Sequence, residues 1–359
     1  MKVVLLLVLC FVHNYCLAIN VVFVNPSVPG TPFWDRVTAV AKAAAQDLSI
    51  NLEVVYGEDN RISNLEVIEE LAARKNKPAY VIFMPFDGTA ERMFGSLNAS
   101  KIPFITVERT LQISEQQKIG FPGEIFEYWI GEVFHDNEYA GNLLAERLIA
   151  EAKKHNPEQN LVAIGISGSF SGESSDRTRG LERAIADHKE VQLAQVVPAI
   201  WSRERSRHII HQLTSRFGKI DVAWAASDGM ALGILDSVKS GHGTNINKDM
   251  KIGGIDWTGE GIDRIRAGEL TASVGGHFMQ TAWALVKIYD QEHGKTIFKG
   301  GDMGRTYDLE IIDRSNIHLY GILSKKVDWT KVDFKNFTLT HTKSPQYNFS
   351  FEKMIRALY

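Results

Sequence analysis

The run Ile19-Asn20-Val21-Val22-Phe23-Val24 is almost continuously apolar, and three more such runs follow at 52–55, 80–84 and 103–107. Between them the apolar residues take up helical spacing, at about 33–48, 61–75 and 88–99; in the second, Ile62, Leu65, Ile68 and Ala72 fall along one face. A strand with one wet face alternates apolar with polar residues, whereas a run without alternation is buried on both faces. Such strands separated by helices indicate a parallel sheet covered on both sides. The series then begins again, with strands predicted at 161–166, 191–197, 222–226 and 251–255 and helices near 137–155, 176–188, 203–216 and 229–240. Two series of this size predict an α/β protein built of two doubly wound, Rossmann-like lobes, and 359 residues suit two cores better than one.

The two series show no convincing match to each other as sequence. The segment 271–276 and the helical pattern at about 279–293 come too late for the second series. Residues 302–359, rich in aromatics and short strand-like patches, read as ordered packing rather than a linker.

Upstream of Ile19, Met1-Lys2 precede an apolar stretch of about ten residues, then His13, Asn14 and Tyr15, with the short residues Cys16 and Ala18 before Ile19. That is the layout of an export signal cleaved after Ala18, and it is too short for a membrane span, which needs about 20 apolar residues. Both cysteines, Cys10 and Cys16, would leave with it. No later apolar run approaches spanning length, so the mature chain is expected to be exported without inserting in a membrane. With 40 Lys+Arg against 43 Asp+Glu the net charge is −3, which lacks the basic excess of a nucleic-acid binder.

In parallel sheets, ligands gather at the carboxyl ends of strands. There the sequence places Phe33-Trp34, Glu108-Arg109, Arg177 and Arg179, Ser227-Asp228, and Asp256-Trp257. Phe33, Trp34 and Trp257 offer flat apolar faces; Glu108, Arg109, Arg179, Asp228 and Asp256 offer two-pronged hydrogen bonding. A sugar or similar polyol uses both, stacking its C–H faces while each hydroxyl donates and accepts. Asp228 could equally cap the helix that follows it. Gly275-Gly276 suits a backbone crossing between lobes, which would bring His277 within reach of the cleft.

Signals for catalysis are few. Gly165-Ile166-Ser167-Gly168-Ser169 lacks the last glycine of a nucleophile elbow, and no phosphate loop is present. His208 and His211 share a helical face without the acidic partner of a zinc protease, so no metal or cofactor is expected. Paired carboxylates, Glu108 and Asp256, would be the only footing for a periplasmic carbohydrate-active enzyme. Asn98-Ala99-Ser100, Asn336-Phe337-Thr338 and Asn348-Phe349-Ser350 match the glycosylation triplet.

Six segments in order, Asn25-Pro26 to Pro32-Phe33-Trp34, Ile105 to Arg109, Asp136 to Gly141, Arg177 to Leu181, Ser227 to Gly233 and Gly253 to Asp256, resemble type I periplasmic sugar-binding proteins of the ribose-binding class, over roughly residues 20–300. The resemblance implies the periplasmic binding protein type I fold, with three crossovers joining an N-terminal lobe (19–134 plus 277–304) to a C-terminal lobe (135–276 plus 305–324), and an extension at 325–359 packed on them. By position it makes Phe33 and Trp34 stacking residues, and Glu108, Arg109, Asn137, Arg179, Ser227 and Asp256 hydrogen-bonding ones. It implies a sugar or sugar-like ligand captured between the lobes in the periplasm. The closed form would be read by an ABC permease or, in the sensing alternative typified by autoinducer receptors, by a membrane sensor kinase. Repressors that share this core carry a DNA-reading helix-turn-helix where this chain has its export signal. Glu108 stands where the family has Asp, Ser227 where Asn is common, Trp257 where Gly is common, and Gly276-His277 where a Gln is usual; these changes reshape the pocket.

Overall fold

The computed structural model describes residues 19–108, 111–155, 157, 159–170, 172–240, 249–298 and 306–359. The expected export signal, its cleavage site and both cysteines lie outside these residues, as does Arg109.

The first sheet is built from β1 (Ile19–Asn25), β2 (Ile50–Tyr56), β3 (Tyr80–Phe83), β4 (Phe104–Val107) and β5 (Trp129–Val133), joined by α1 (Pro32–Asp47), α2 (Arg61–Ala73), α3 (Ala90–Ala99) and α4 (Ile113–Ile119). Its order is β2-β1-β3-β4-β5 with every pair parallel. Side chains alternate across a strand, so Val21 and Phe23 enter the core on one face while Val22 and Val24 enter a separate one beneath α2 and α3. Both faces are dry, which is why the strand reads as unbroken apolar sequence.

The second lobe repeats the plan with α5 (Asn137–His155), β6 (Leu161–Ser167), α6 (Gly172–Ala186), β7 (Val191–Pro198), α7 (Arg203–Phe217), β8 (Val222–Ala225), α8 (Asp228–Ser240), β9 (Lys251–Ile255), α9 (Gly259–Arg266) and β10 (Ala272–Gly275). Its six-stranded order is β11-β10-β9-β8-β6-β7, where β11 (Glu310–Asp313) is the one antiparallel member. Each sheet therefore has a switch point, between β1 and β3 in one and between β6 and β8 in the other. At such a point the loops leaving the two strands diverge and open a crevice.

The chain passes between the sheets after β5, again at Gly276 after β10, and a third time between α10 (Gln280–Glu292) and β11. Gly276 has φ +117° and lies beneath the Phe351 ring, so it needs a residue with no Cβ. The first and third crossings are tied where Thr306 N–H donates to the Phe134 carbonyl at 2.9 Å.

The C-terminal segment is ordered, but not as the strand-like patches the sequence suggests. Among its described residues only β11 is a strand; the rest is α11 (Ile317–Tyr320), short 3-10 turns, α12 (Leu339–Thr342) and α13 (Phe351–Leu358). Asp328, Asp333 and Ser350 each accept a backbone N–H at the start of a turn or helix, which favours turning over extension. The aromatics then face inward. Trp283 on α10 meets Phe334, Phe337 and Phe349, while Tyr320 and Phe351 pack on Trp257. Buried Asp290 accepts from Leu339 N, Thr340 N and Thr340 Oγ1 at 2.8, 2.9 and 2.6 Å.

Candidate functional site

The carboxyl ends of both sheets face one another across a buried polar cluster. Phe33 comes from the start of α1 and Glu108 from the end of β4. His135 lies in the first crossing and Asn137 begins α5. Arg177 comes from α6, Asp256 from the end of β9 and His277 from the second crossing. Asp136 Oδ1 accepts from Tyr139 N at 2.8 Å, a capping contact that fixes the start of α5 and hence the position of Asn137.

Arg177 is the hub. Its Nε donates to Asn137 Oδ1 at 2.8 Å and its Nη1 to the Ala226 carbonyl at 2.9 Å, with Asp256 Oδ1 3.8 Å away and the Trp201 ring 5.9 Å from its guanidinium carbon. Asp256 Oδ1 lies 3.2 Å from His277 Nε2, and the His277 ring meets Phe33 and His135 at a tilt, with centroids 4.5 and 5.0 Å away. His135 Nε2 is 3.1 Å from Asn137 Oδ1 and 3.5 Å from Glu108 Oε2. Gln280 holds Glu108 from behind, donating to Oε1 at 3.2 Å and accepting from its backbone N–H at 3.1 Å. Glu108, Asp256 and Trp257 all have positive φ, at 54°, 133° and 55°. Non-glycine residues adopt such backbone only where their surroundings over-determine it, commonly at binding sites.

Burial sets the charge of this cluster. It pushes the carboxyls of Glu108 and Asp256 up to about 7 against the opposing pull of Arg177. Burial, reinforced by Arg177, drives both His135 and His277 well below the ordinary imidazole value, so both rings are neutral at pH 7. Glu108 Oε2, Asn137 Nδ2 and His277 Nδ1 are buried without a hydrogen-bond partner. An unmet buried polar atom costs about 1–3 kcal/mol, and here three such atoms lie in one place. Among the described residues no group of His, Cys, Asp or Glu is arranged to hold a metal.

Residues 21–295 match the family model described as periplasmic binding protein domain. The chain belongs to this family. The binding protein is 26% identical over 247 residues to the ribose import binding protein of Haemophilus influenzae, covering 68% of this chain and 75% of that one. It is 25% identical over 290 residues to the ribose import binding protein of Salmonella typhimurium, covering 79% of this chain and 87% of that one. Among solved structures, a periplasmic sugar-binding protein from Pseudomonas fluorescens superposes with a TM-score of 0.81 at 26% identity, covering 94% of this chain and 99% of that one. The relatives are binding proteins, and the chain is a binding protein rather than an enzyme.

Not every residue expected at a ligand site lies in this cluster. The sequence reading starts a helix near residue 176; α6 begins earlier, at Gly172, and both Arg177 and Arg179 lie on it. Two positions there turn the side chain by about 200°, so Arg177 faces inward and Arg179 outward, bonded to Asp176 and Glu138. Arg179 instead lines a 670 Å³ surface cavity with Gln112, Gln116, Gly172, Ser175 and Asp176. Trp257 is fully buried with its Nε1 donating to the Ser273 carbonyl at 3.0 Å, its ring turned to Tyr320 and Phe351 and away from the cluster. Its left-handed backbone aims it there.

Asp228 does not cap α8; Ser227 does, with Oγ accepting from Met230 N at 3.3 Å. The Asp228 carboxylate instead accepts from Thr258 N at 2.7 Å, Thr258 Oγ1 at 3.0 Å and Ser273 Oγ at 2.7 Å, which locks the β9–α9 turn beneath Asp256. Trp34 meets the Phe33 ring edge-on at 5.2 Å and is half-buried. Sequence reasoning overlooked His135, Gln280, Trp201 and Tyr307 and weighed Arg177 below Arg179. The helical phase of α6 would have favoured Arg177, had its start been placed at Gly172.

Proposed function

We propose that the binding protein is exported to the periplasm, cleaved after Ala18, and binds a neutral sugar at the Glu108–His135–Asn137–Arg177–Asp256–His277 cluster between its lobes. The lobes close on the sugar, and the closed form delivers it to an ABC importer. The observation that carries this reading is the set of buried, partnerless polar atoms on Glu108, Asn137 and His277, flanked by the Phe33 ring. With both imidazoles neutral and both carboxyls near half-ionised at pH 7, the cluster suits hydroxyls, which donate and accept without charge. The ribose import proteins among its relatives support the same class of ligand. Closure follows from contacts made in both lobes, to the extent that they favour the closed state over the open one.

Calorimetric titration and thermal melting of residues 19–359 with D-ribose, D-allose, L-arabinose and myo-inositol test the proposal. At 100 times its dissociation constant a true ligand stabilises the fold by about 2.7 kcal/mol. Binding of one of these, returned chemically unchanged, supports it; silence across the panel and across other aldoses and polyols rejects it.

A further inference from the structure

We infer that Tyr307, His135 and Asn137 form a single directed hydrogen-bond chain that fixes the Asn137 amide with Nδ2 as its free donor, making His135 a positioning residue that sets the polarity of one ligand contact. The inference rests on the reading that this cluster binds a sugar.

The direction of the chain follows from the partners. A guanidinium only donates, so the Asn137 atom 2.8 Å from Arg177 Nε must be the oxygen. That oxygen is also 3.1 Å from His135 Nε2, which must therefore carry the proton. A neutral imidazole protonated at Nε2 has its lone pair on Nδ1, where the Tyr307 hydroxyl, 3.3 Å away, can only donate. The Asn137 oxygen thus receives two donors, and Nδ2 is left buried with no partner. Without His135 the amide would lose one of the two bonds that prevent it from turning over. The other groups facing the imidazole are Glu108, His277 and Arg177; burial and the charge of Arg177 keep the His135 ring neutral and leave the chain intact at neutral pH. The ligand atom that meets Asn137 must accept: a ring oxygen or the oxygen of a hydroxyl whose own proton points elsewhere, such as toward Glu108 Oε2. The chain also joins two crossings, with Tyr307 beyond α10 and His135 beyond β5.

Two measurements test the inference. In the ligand-free full chain, ¹⁵N spectra of labelled imidazoles should show His135 protonated at Nε2 and bare at Nδ1, with the Nδ1 resonance moved by Tyr307→Phe. A proton on Nδ1 overturns the chain. In titrations with D-ribose and D-allose, His135→Phe and Asn137→Ala should each weaken binding at least tenfold. The double variant should be no weaker than Asn137→Ala alone, and His135→Gln, which restores a donor, should recover most of the affinity. Losses that multiply in the double variant would show that His135 acts independently of Asn137. If neither sugar binds the parent protein, the sugar reading is what fails for them, and the spectrum decides the chain by itself.

Discussion

Arg177 and Arg179 stand two positions apart on α6, yet the Arg177 side chain is 4% exposed and the Arg179 side chain 48%. Removing the first takes its guanidinium from Asn137 and Asp256 in a dry interior; removing the second breaks pairs that water already screens. Arg177→Ala should lose about 3–5 kcal/mol of stability and all measurable sugar binding. Arg179→Ala should change stability by less than about 1 kcal/mol. Urea unfolding of both variants checks this, and equal losses would refute the assignment of the hub.

Glu108 gives a pH signature. Its carboxyl rises from the ordinary 4.5 to about 7 on folding because it is buried. Between those values the native state binds the extra proton, so this group's contribution to stability falls as pH rises from about 4.5 to about 7 and is constant above. Glu108→Gln removes that slope. At each pH the variant should be compared with its parent: near pH 4.5 the two should unfold alike, and by pH 8 the variant should be more stable by up to about 3 kcal/mol. A difference independent of pH would show that the carboxyl is not raised.

The α5–α6 contact that brings Asn137 to Arg177 depends on two glycines. A Cβ on Gly180 would strike the Glu138 carbonyl oxygen, and one on Gly141 would strike that of Arg177. Both obstacles are backbone and cannot rotate away. Gly180→Ala should cost about 1–3 kcal/mol and weaken ligand binding through displaced helices. Thermal melting and titration should therefore move together; a stable variant with parental affinity would mean the helices part without consequence.

Phe351 fills the space against Gly276, Trp257 and Tyr307 and is 2% exposed. Phe351→Ala should cost about 3–5 kcal/mol, as a large core truncation does. A loss under 1 kcal/mol in chemical denaturation would show that α13 docks only loosely.

Much of the fold was readable because its strands are buried on both faces and its helices carry one apolar stripe. The boundaries of α5 and β9 are as read. β5 escaped notice because Trp129-Ile130-Gly131-Glu132-Val133 interrupts a short run with a glycine and a glutamate, and α9 because Gly259 and Gly261 look like a turn. The site was harder. Glu108, Asn137, Asp256, His277 and Phe33 come together, since strand ends are fixed by topology. Trp257 departs because a positive φ at a tryptophan has no sequence signal, and His135 and Tyr307 meet only because two distant crossings run side by side. Their partnership is a property of the hinge, and no local pattern carries it.

The aromatic layer over α10 also bears on the order of assembly. Trp283 is covered by Phe334, Phe337 and Phe349, and Gly276 by Phe351, so packing around α10 is completed only by residues well downstream of it. Contacts of such long sequence separation form late and slowly. Until those aromatics have docked, α10 keeps an open seam, and commitment to the native state waits for them.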